Sequence, residues 1–466
     1  MKNRVVSLLL VLVMCFSLAL TSCGEITAKI PGIGDLFGTN SGDNGEANNN
    51  GDAGGAGDSS ADDEGGQGNA LFEDALDKID VPERFKKAYT IDREKLEAAA
   101  AKATAKLKDF AMENGTGFLS TSSENYLYKS SSNNNWVCGM YTGSYLMAYQ
   151  LTGDQFFADV VNEQVESFVY REANKIGMGD HDVGFVFVPS CVGAYKILGS
   201  QTAKAAAERA VEYYYNTGYS QEGKFIIRAF SWDSFDGYRT MIDSLMNASL
   251  FFWAGEELGN ENYTKAGTDH NLTTVKLIVR DDGSTYHHYQ FDPLTSKPLY
   301  GLTWQGYSNE SCWSRGHSWG VYGFSIAFSY TKNIYIKEAQ RDVVCYMLNH
   351  LPTDLIPYWD YTFTAGGEPR DASAAVIAIC GMLDMASQLP EDSALRLVYE
   401  SAAAQMMEAV IDNCTTDIGV EYDGLIHSVT HGKPQNLAVG ECAPYADYFY
   451  LEALARFLKH DFIRPW

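Results

Sequence analysis

Five times between Trp136 and Leu389 the chain repeats one pattern: an apolar run at three-and-four spacing, a short polar turn, then a second stretch of alanine, charge and aromatics. The apolar runs are Trp136 to Tyr149, Val188 to Leu198, Met241 to Leu258, Trp319 to Tyr330 and Ala372 to Leu389. Turns such as Thr152-Gly153-Asp154, Gly199-Ser200-Gln201 and Gly259-Asn260-Glu261 break them. That spacing puts the apolar side chains on one helical face, and Gly, Asn, Asp and Ser in the breaks end one helix and start the next. The second helices include Phe156 to Val169 and Ala203 to Tyr215. A helix from Asp92 to Glu113 and another from Tyr445 to Leu458 can supply a sixth pair. Closed into a ring, alternating inner and outer helices make an all-α (α/α)6 barrel; left open, they make a helical solenoid.

Closure would gather the starts of the inner helices around one pocket, so polar residues at those starts are the candidates for chemistry. Gly179-Asp180-His181-Asp182-Val183-Gly184-Phe185 is an acidic turn feeding an apolar helix, where Asp180 or Asp182 serves either as an N-cap or in catalysis. In Met241-Ile242-Asp243-Ser244-Leu245-Met246-Asn247 a single carboxylate stands near the start of an apolar stretch, after the aromatic turn Phe230-Ser231-Trp232-Asp233. Burying it without a partner is expensive, so Asp243 is the best candidate for an acid with a raised pKa. Between hairpins, Val275 to Arg280, the turn Asp281-Asp282-Gly283-Ser284 and Tyr286 to Pro293 suggest a β-hairpin near the barrel mouth. His287 and His288 then alternate faces, and only one can point at the pocket.

From Thr303 to Phe324 the chain interleaves aromatics and glycines with Gln305 and Arg315. Aromatic faces cover the apolar faces of a sugar ring, while Gln and Arg supply planar donors to hydroxyls and carboxylates. An aromatic-rich helix start of purely structural purpose fits that stretch as well.

The first residues suit export. Lys2 and Arg4 precede an apolar run from Val5 to Leu20, and Leu20-Thr21-Ser22-Cys23 follows. This matches a lipoprotein signal over 1–22 with Cys23 as the lipidated first residue of a membrane-anchored protein, at the cell surface or in the periplasm. Residues 24–70 carry thirteen glycines, nine Asp or Glu and one basic residue, Lys29. Such a stretch has too little apolar surface to offset its chain entropy, so 23–70 reads as a disordered tether, spanning on the order of 40 Å, to a domain over 71–466. The net charge of −25 argues against nucleic acid as a partner. Seven cysteines remain in the body without a CxxC pair and read as small core residues. A zinc site at His287/His288 or at His427 and His431 lacks companion ligands, so no metal or other cofactor is expected. Nothing in the sequence points to a particular oligomeric state.

The runs Trp304-Gln305-Gly306-Tyr307-Ser308, Cys312-Trp313-Ser314-Arg315-Gly316 and Trp319-Gly320-Val321-Tyr322-Gly323-Phe324 resemble the signature of the unsaturated glucuronyl hydrolases, glycoside hydrolase family 88. The resemblance extends through His181 to Phe185, Ile242 to Asn247, Asp282 to Pro293, Pro357 to Asp360 and Arg370 to Ala375, covering essentially residues 83–458. It implies an (α/α)6 barrel that removes a 4,5-unsaturated uronic acid from the non-reducing end of lyase-made oligosaccharides by hydrating a vinyl ether. By the same resemblance Asp243 is the general acid and base, and Asp182 holds ring hydroxyls. His287, Gln305, Arg315 and Trp319 line the sugar site with His181 and Trp232, and Trp136 is a platform. Asn309, His317 and Ser244 depart from the family pattern, which bears on the preferred sugar more than on the reaction. Two other readings stay open: an unsaturated rhamnogalacturonyl hydrolase, and a lipid-anchored glycan-binding protein without activity.

Overall fold

The computed structural model describes residues 75–230, 235–417 and 421–466. The stretch expected to be a signal over 1–22, Cys23, the stretch expected to be a tether and Trp232 lie outside the described residues. Fourteen α-helices occur among the described residues: α1 (Arg93–Asn114), α2 (Cys138–Thr152), α3 (Gln155–Ala173), α4 (Val183–Phe187), α5 (Gly193–Leu198), α6 (Gln201–Gly218), α7 (Ser244–Asn247), α8 (Ser249–Leu258), α9 (Glu261–Leu277), α10 (Ser314–Thr331), α11 (Ile334–His350), α12 (Ala372–Ala386), α13 (Ala394–Cys414) and α14 (Pro444–Leu458). A π-helical turn, Val188–Val192, joins α4 to α5 at Pro189, which has no N–H to give the helical ladder.

The inner ring closes. In order, α2 packs on α4 and α5, α4 on α7, α7 and α8 on α10, α10 on α12, α12 on α14, and α14 returns to α2. Each inner helix is followed by its outer partner, giving the pairs α2/α3, α5/α6, α8/α9, α10/α11 and α12/α13, and α1 packs on α14 to complete the sixth. This is the (α/α)6 barrel, and the closing contact rules out the open solenoid. Inner helices are apolar all round because they are covered on both sides. In α12 all but one residue is buried, whereas α6 buries a single stripe of Ala203, Ala206, Ala207, Ala210, Val211 and Tyr214.

All six outer helices are started by their own side chains. Asp92, Asp154, Ser200, Asn260, Asn333 and Ser393 each accept a backbone N–H in the first turn. These are the polar residues of the inter-helix turns, which is why the turns are so plain in the sequence. Of the seven body cysteines, six are buried side chains and none forms a disulfide among the described residues.

Short strands edge the mouth: β1 (Phe118–Leu119) with β2 (Ser130–Ser131), β3 (Tyr219–Ser220) with β4 (Phe225–Ile226), the three-stranded sheet β5 (Arg239–Met241), β6 (His288–Phe291), β7 (Pro298–Leu302), and β8 (Val429–Gly432) with β9 (Leu437–Glu441). The expected hairpin is therefore displaced. Val275 to Leu277 finish α9, because His270, Asn271 and Thr274 face the core at helical spacing and the helix overrides the β-branched run. The turn at 281–284 is spanned only by a bridge between Val279 and Thr285. The real hairpin joins β6 to β7, with β5 on the other edge of β6.

Candidate active site

Inner-helix starts converge on a cavity of about 230 Å³, walled by Trp136, His181, Asp182, Asp243, Gln305, Trp313, Arg315, Trp319 and His431, with Trp304 and Arg228 toward the outside. That volume suits one sugar ring rather than a stretch of polymer. Trp319 is 1% exposed and lies against Phe185 and Phe449, which closes the floor. Trp136 stacks on Tyr445 at 5.0 Å between ring centroids.

Asp182 and Asp243 occupy the N-cap positions of α4 and α7, yet neither side chain caps its helix. Asp180 accepts the Asp182 N–H at 3.1 Å, ahead of the helix's first turn, so neither aspartate of this acidic turn caps α4. The two carboxyls are brought together by a close approach of α4 and α7. A side chain at Gly184 would collide with the backbone of Asn247, so only glycine permits that approach. Asn247 then ties the two starts together: its Oδ1 accepts the Phe185 N–H at 2.6 Å and its Nδ2 donates to the Asp243 carbonyl at 3.2 Å.

Their side chains are 19% and 13% exposed, and burial, first of all, raises the pKa of both. Asp243 is pushed up to about 6, with the nearby Asp182 charge adding to the rise and His181 opposing it. Asp182 stands well above the usual carboxylate range through burial and the Asp180 charge, with Arg228 pulling the other way. Two like charges this close are not both favoured, so the pair retains a proton near neutrality.

Asp243 Oδ2 is buried without a hydrogen-bond partner, and so is His287 Nε2, 3.8 Å away. Backbone N–H groups of Trp304 and Gln305 point at His287 Nδ1 from 3.3 and 3.4 Å. Nδ1 is therefore the acceptor, and the proton of the neutral ring sits on Nε2, aimed at Asp243. Burial keeps this imidazole neutral, helped by His288 and the nearby arginines. The Ile242 N–H donates to the His287 carbonyl at 2.9 Å, which pins the two segments together.

His287 was expected to line the sugar site; it is buried beside the lining residue Trp313 instead, with ring centroids 4.4 Å apart, and reaches the site through Asp243. Arg315 reaches the pocket wall, but its charge is already committed. Nη1 donates to Asp371 Oδ2 at 2.8 Å and to the Thr430 carbonyl at 2.7 Å, and Nη2 donates to the His431 carbonyl. Gln305 donates to that same carbonyl at 2.7 Å. Together they fasten β8 to the mouth.

Trp136, His181, Asp182, Asp243, Gln305, Arg315 and Trp319 are thus assembled as the sequence suggested. The departures turn out to be structural. His317 is buried, contacting Val343 O, Thr285 and Cys312, and Asn309 accepts the Thr303 N–H. Ser244 meets His181 Nδ1 at 3.2 Å. Sequence reasoning missed Arg228; the cue available was an arginine beside the aromatic turn in a chain poor in cations. Among the described residues no group of three His, Cys, Asp or Glu side chains is arranged to hold a metal ion.

Residues 112–452 match the profile of Glycosyl Hydrolase Family 88. The chain is 33% identical over 389 residues to an unsaturated chondroitin disaccharide hydrolase of Streptococcus pneumoniae, covering 82% of this chain and 97% of that protein. It is 31% identical over 347 residues to an unsaturated glucuronyl hydrolase of Bacillus sp. GL1, covering 73% and 91% respectively. The crystal structure of an unsaturated glucuronyl hydrolase from Streptococcus agalactiae superposes with a TM-score of 0.80 at 33% identity, covering 85% of this chain and all of that one. With its barrel, its paired carboxyls and these relatives, the chain belongs to glycosyl hydrolase family 88.

Proposed function

We propose that this protein removes a terminal 4,5-unsaturated uronic acid from lyase-generated oligosaccharides, with Asp243 as the general acid and base. The observation that carries the reading is a pair of carboxyls at helix starts that they do not cap, both lining one pocket with room for one ring. A blind pocket accepts a chain end.

The chemistry follows from the proton. Asp243 in its acid form protonates C4 of the vinyl ether, leaving the positive charge on C5 and the ring oxygen. The carboxylate so formed takes a proton from water as the water oxygen bonds to C5, restoring the acid. Water has then added across the double bond. The resulting hemiketal opens at C5, and the hemiacetal left at C1 expels the next sugar as its alcohol. Burial favours the neutral acid, and an anionic substrate favours it further. Asp182 accepts from ring hydroxyls and, when charged, resists ionisation of its neighbour. His287 faces the carboxylate that forms at each turnover with its Nε2–H from 3.8 Å, a dipole that favours the charged form. Trp136 and Trp319 cover the faces of the ring, and Gln305 and Arg315 hold the wall.

The test is absorbance. Disaccharides from lyase digests of chondroitin, hyaluronan, heparin, ulvan and pectin lose their ultraviolet band when the double bond is hydrated. Binding without loss of the band on every digest would favour a non-catalytic glycan-binding protein, and activity confined to pectin products would favour the rhamnogalacturonyl type.

The same proposal places the enzyme on a membrane through a lipid on Cys23, at the cell surface or in the periplasm, supported by the basic and apolar run before it. Cys23→Ser should release the protein to the soluble fraction; a variant that stays with the membranes sinks the anchor.

A further inference from the structure

The substrate of the proposed reaction carries negative charge into a pocket whose reactive side is itself acidic, and Arg315, the guanidinium on its wall, is tied to Asp371. Some other cation must answer that charge. Arg228 lines the pocket and is exposed, and among the described residues its guanidinium makes no ion pair or side-chain hydrogen bond. Its backbone N–H donates to the Arg239 carbonyl at 2.8 Å, so the two arginines sit on neighbouring segments. Arg239 is partly buried, and its Nε is buried without a hydrogen-bond partner.

Two like charges on paired segments repel and weaken the pairing unless something neutralises them. That repulsion registers on Arg239, which is held below its ordinary range by burial and then by the Arg228 charge, with Asp236 offering partial relief. An exposed guanidinium at the pocket wall, on a segment paired with a second arginine whose Nε–H is buried and unpaired, is an arrangement that an anion completes.

We propose that Arg228, backed by Arg239, forms the anion subsite of this pocket and receives a carboxylate or sulfate ester of the substrate. The inference rests on the proposed reaction for its ligand but not for its geometry. It also links binding to chemistry. Arg228 favours the charged form of Asp182, so a substrate anion seated on Arg228 offsets that influence and helps the carboxyl pair keep its proton.

Calorimetry on the full chain carrying Asp243→Asn reads binding without turnover, using an unsulfated unsaturated uronyl disaccharide and its sulfate monoester. Adding Arg228→Gln should weaken binding roughly 10- to 100-fold, the loss of a charge-assisted contact, and Arg228→Lys should recover part of it. Equal losses on both sugars assign the uronate carboxylate; a loss on the sulfated sugar alone assigns the sulfate ester. A change under about twofold on both overturns the subsite. Wild-type turnover is scored separately by absorbance: binding lost with Arg228→Gln while the wild type leaves the double bond intact would keep the subsite and remove the hydrolase. Turnover by the wild type with unchanged binding in the variant would do the reverse.

Discussion

The barrel begins its helices differently at its two ends. At the far end, where the outer helices start, Asp, Asn and Ser side chains close every first turn. At the pocket end, among the described residues, Asp371 alone of the helix-start aspartates behaves that way: it accepts the Ser373 N–H and pairs with Arg315. Asp182 and Asp243 stand at the same kind of position, on the same kind of apolar helix, and cap nothing. Residue type and position along a helix are thus shared between scaffold and site. What separates them is where the carboxyl oxygens are engaged: Asp371 gives its oxygens to Ser373 and Arg315, whereas Asp243 leaves Oδ2 without a partner beside the pocket, and burial raises the proton affinity of both.

The largest effect expected from that difference is Asp243→Asn. Activity on unsaturated disaccharides should fall about 10³-fold or more, since a residue serving as both acid and base is removed, while the melting temperature holds or rises because no structural bond is lost. A variant that stays active removes Asp243 from the mechanism. Arg315→Ala is the converse probe. It leaves the Asp371 carboxylate buried without its partner and should cost about 3–5 kcal/mol of stability, read by denaturant unfolding. A variant as stable as the parent would show that the wall does not depend on the pair.

Next in size is the pH dependence. The reaction needs the acid form, so kcat/KM should be level below about pH 6 and fall about tenfold per unit above it as Asp243 loses its proton. A limb that rises with pH would make proton removal, not donation, limiting. His287→Phe sharpens the assignment. The neutral imidazole offers Nε2–H to the Asp243 anion, so losing it disfavours that anion and should move the limb upward by up to about one unit. A merely structural role for His287 would lower activity without moving the limb.

The repeats and both carboxyls were legible because each rests on local chemistry: turn residues at helix ends, and an Asp inside an apolar run. The displaced hairpin and the committed Arg315 were not, because each is decided by distant chain. Val275 looks strand-forming until the core contacts of His270 and Thr274 are known. Arg315 looks like a free cation until Asp371, 56 residues on, and Thr430, 115 residues on, are folded against it. His287 shows a third limit. Alternation along a strand gave the face of its side chain, but not that Trp313 beside it would line the pocket instead.

The smallest expected effect tests whether the two ends are independent. Asn333 caps α11 through a 3.0 Å bond from the Tyr335 N–H, at the end of the barrel away from the pocket. Asn333→Ala should cost about 1 kcal/mol, seen as a lower denaturation midpoint with an unchanged slope. Because α11 lies in the outer ring and packs on α10 and α9 rather than on the pocket lining, kcat and the acid limb near pH 6 should stay where they are. A shifted limb in this variant would mean that strain at the far end reaches Asp243 through the α10 contacts on α7. The division between spent and unspent aspartates would then be a property of the whole ring rather than of each helix start.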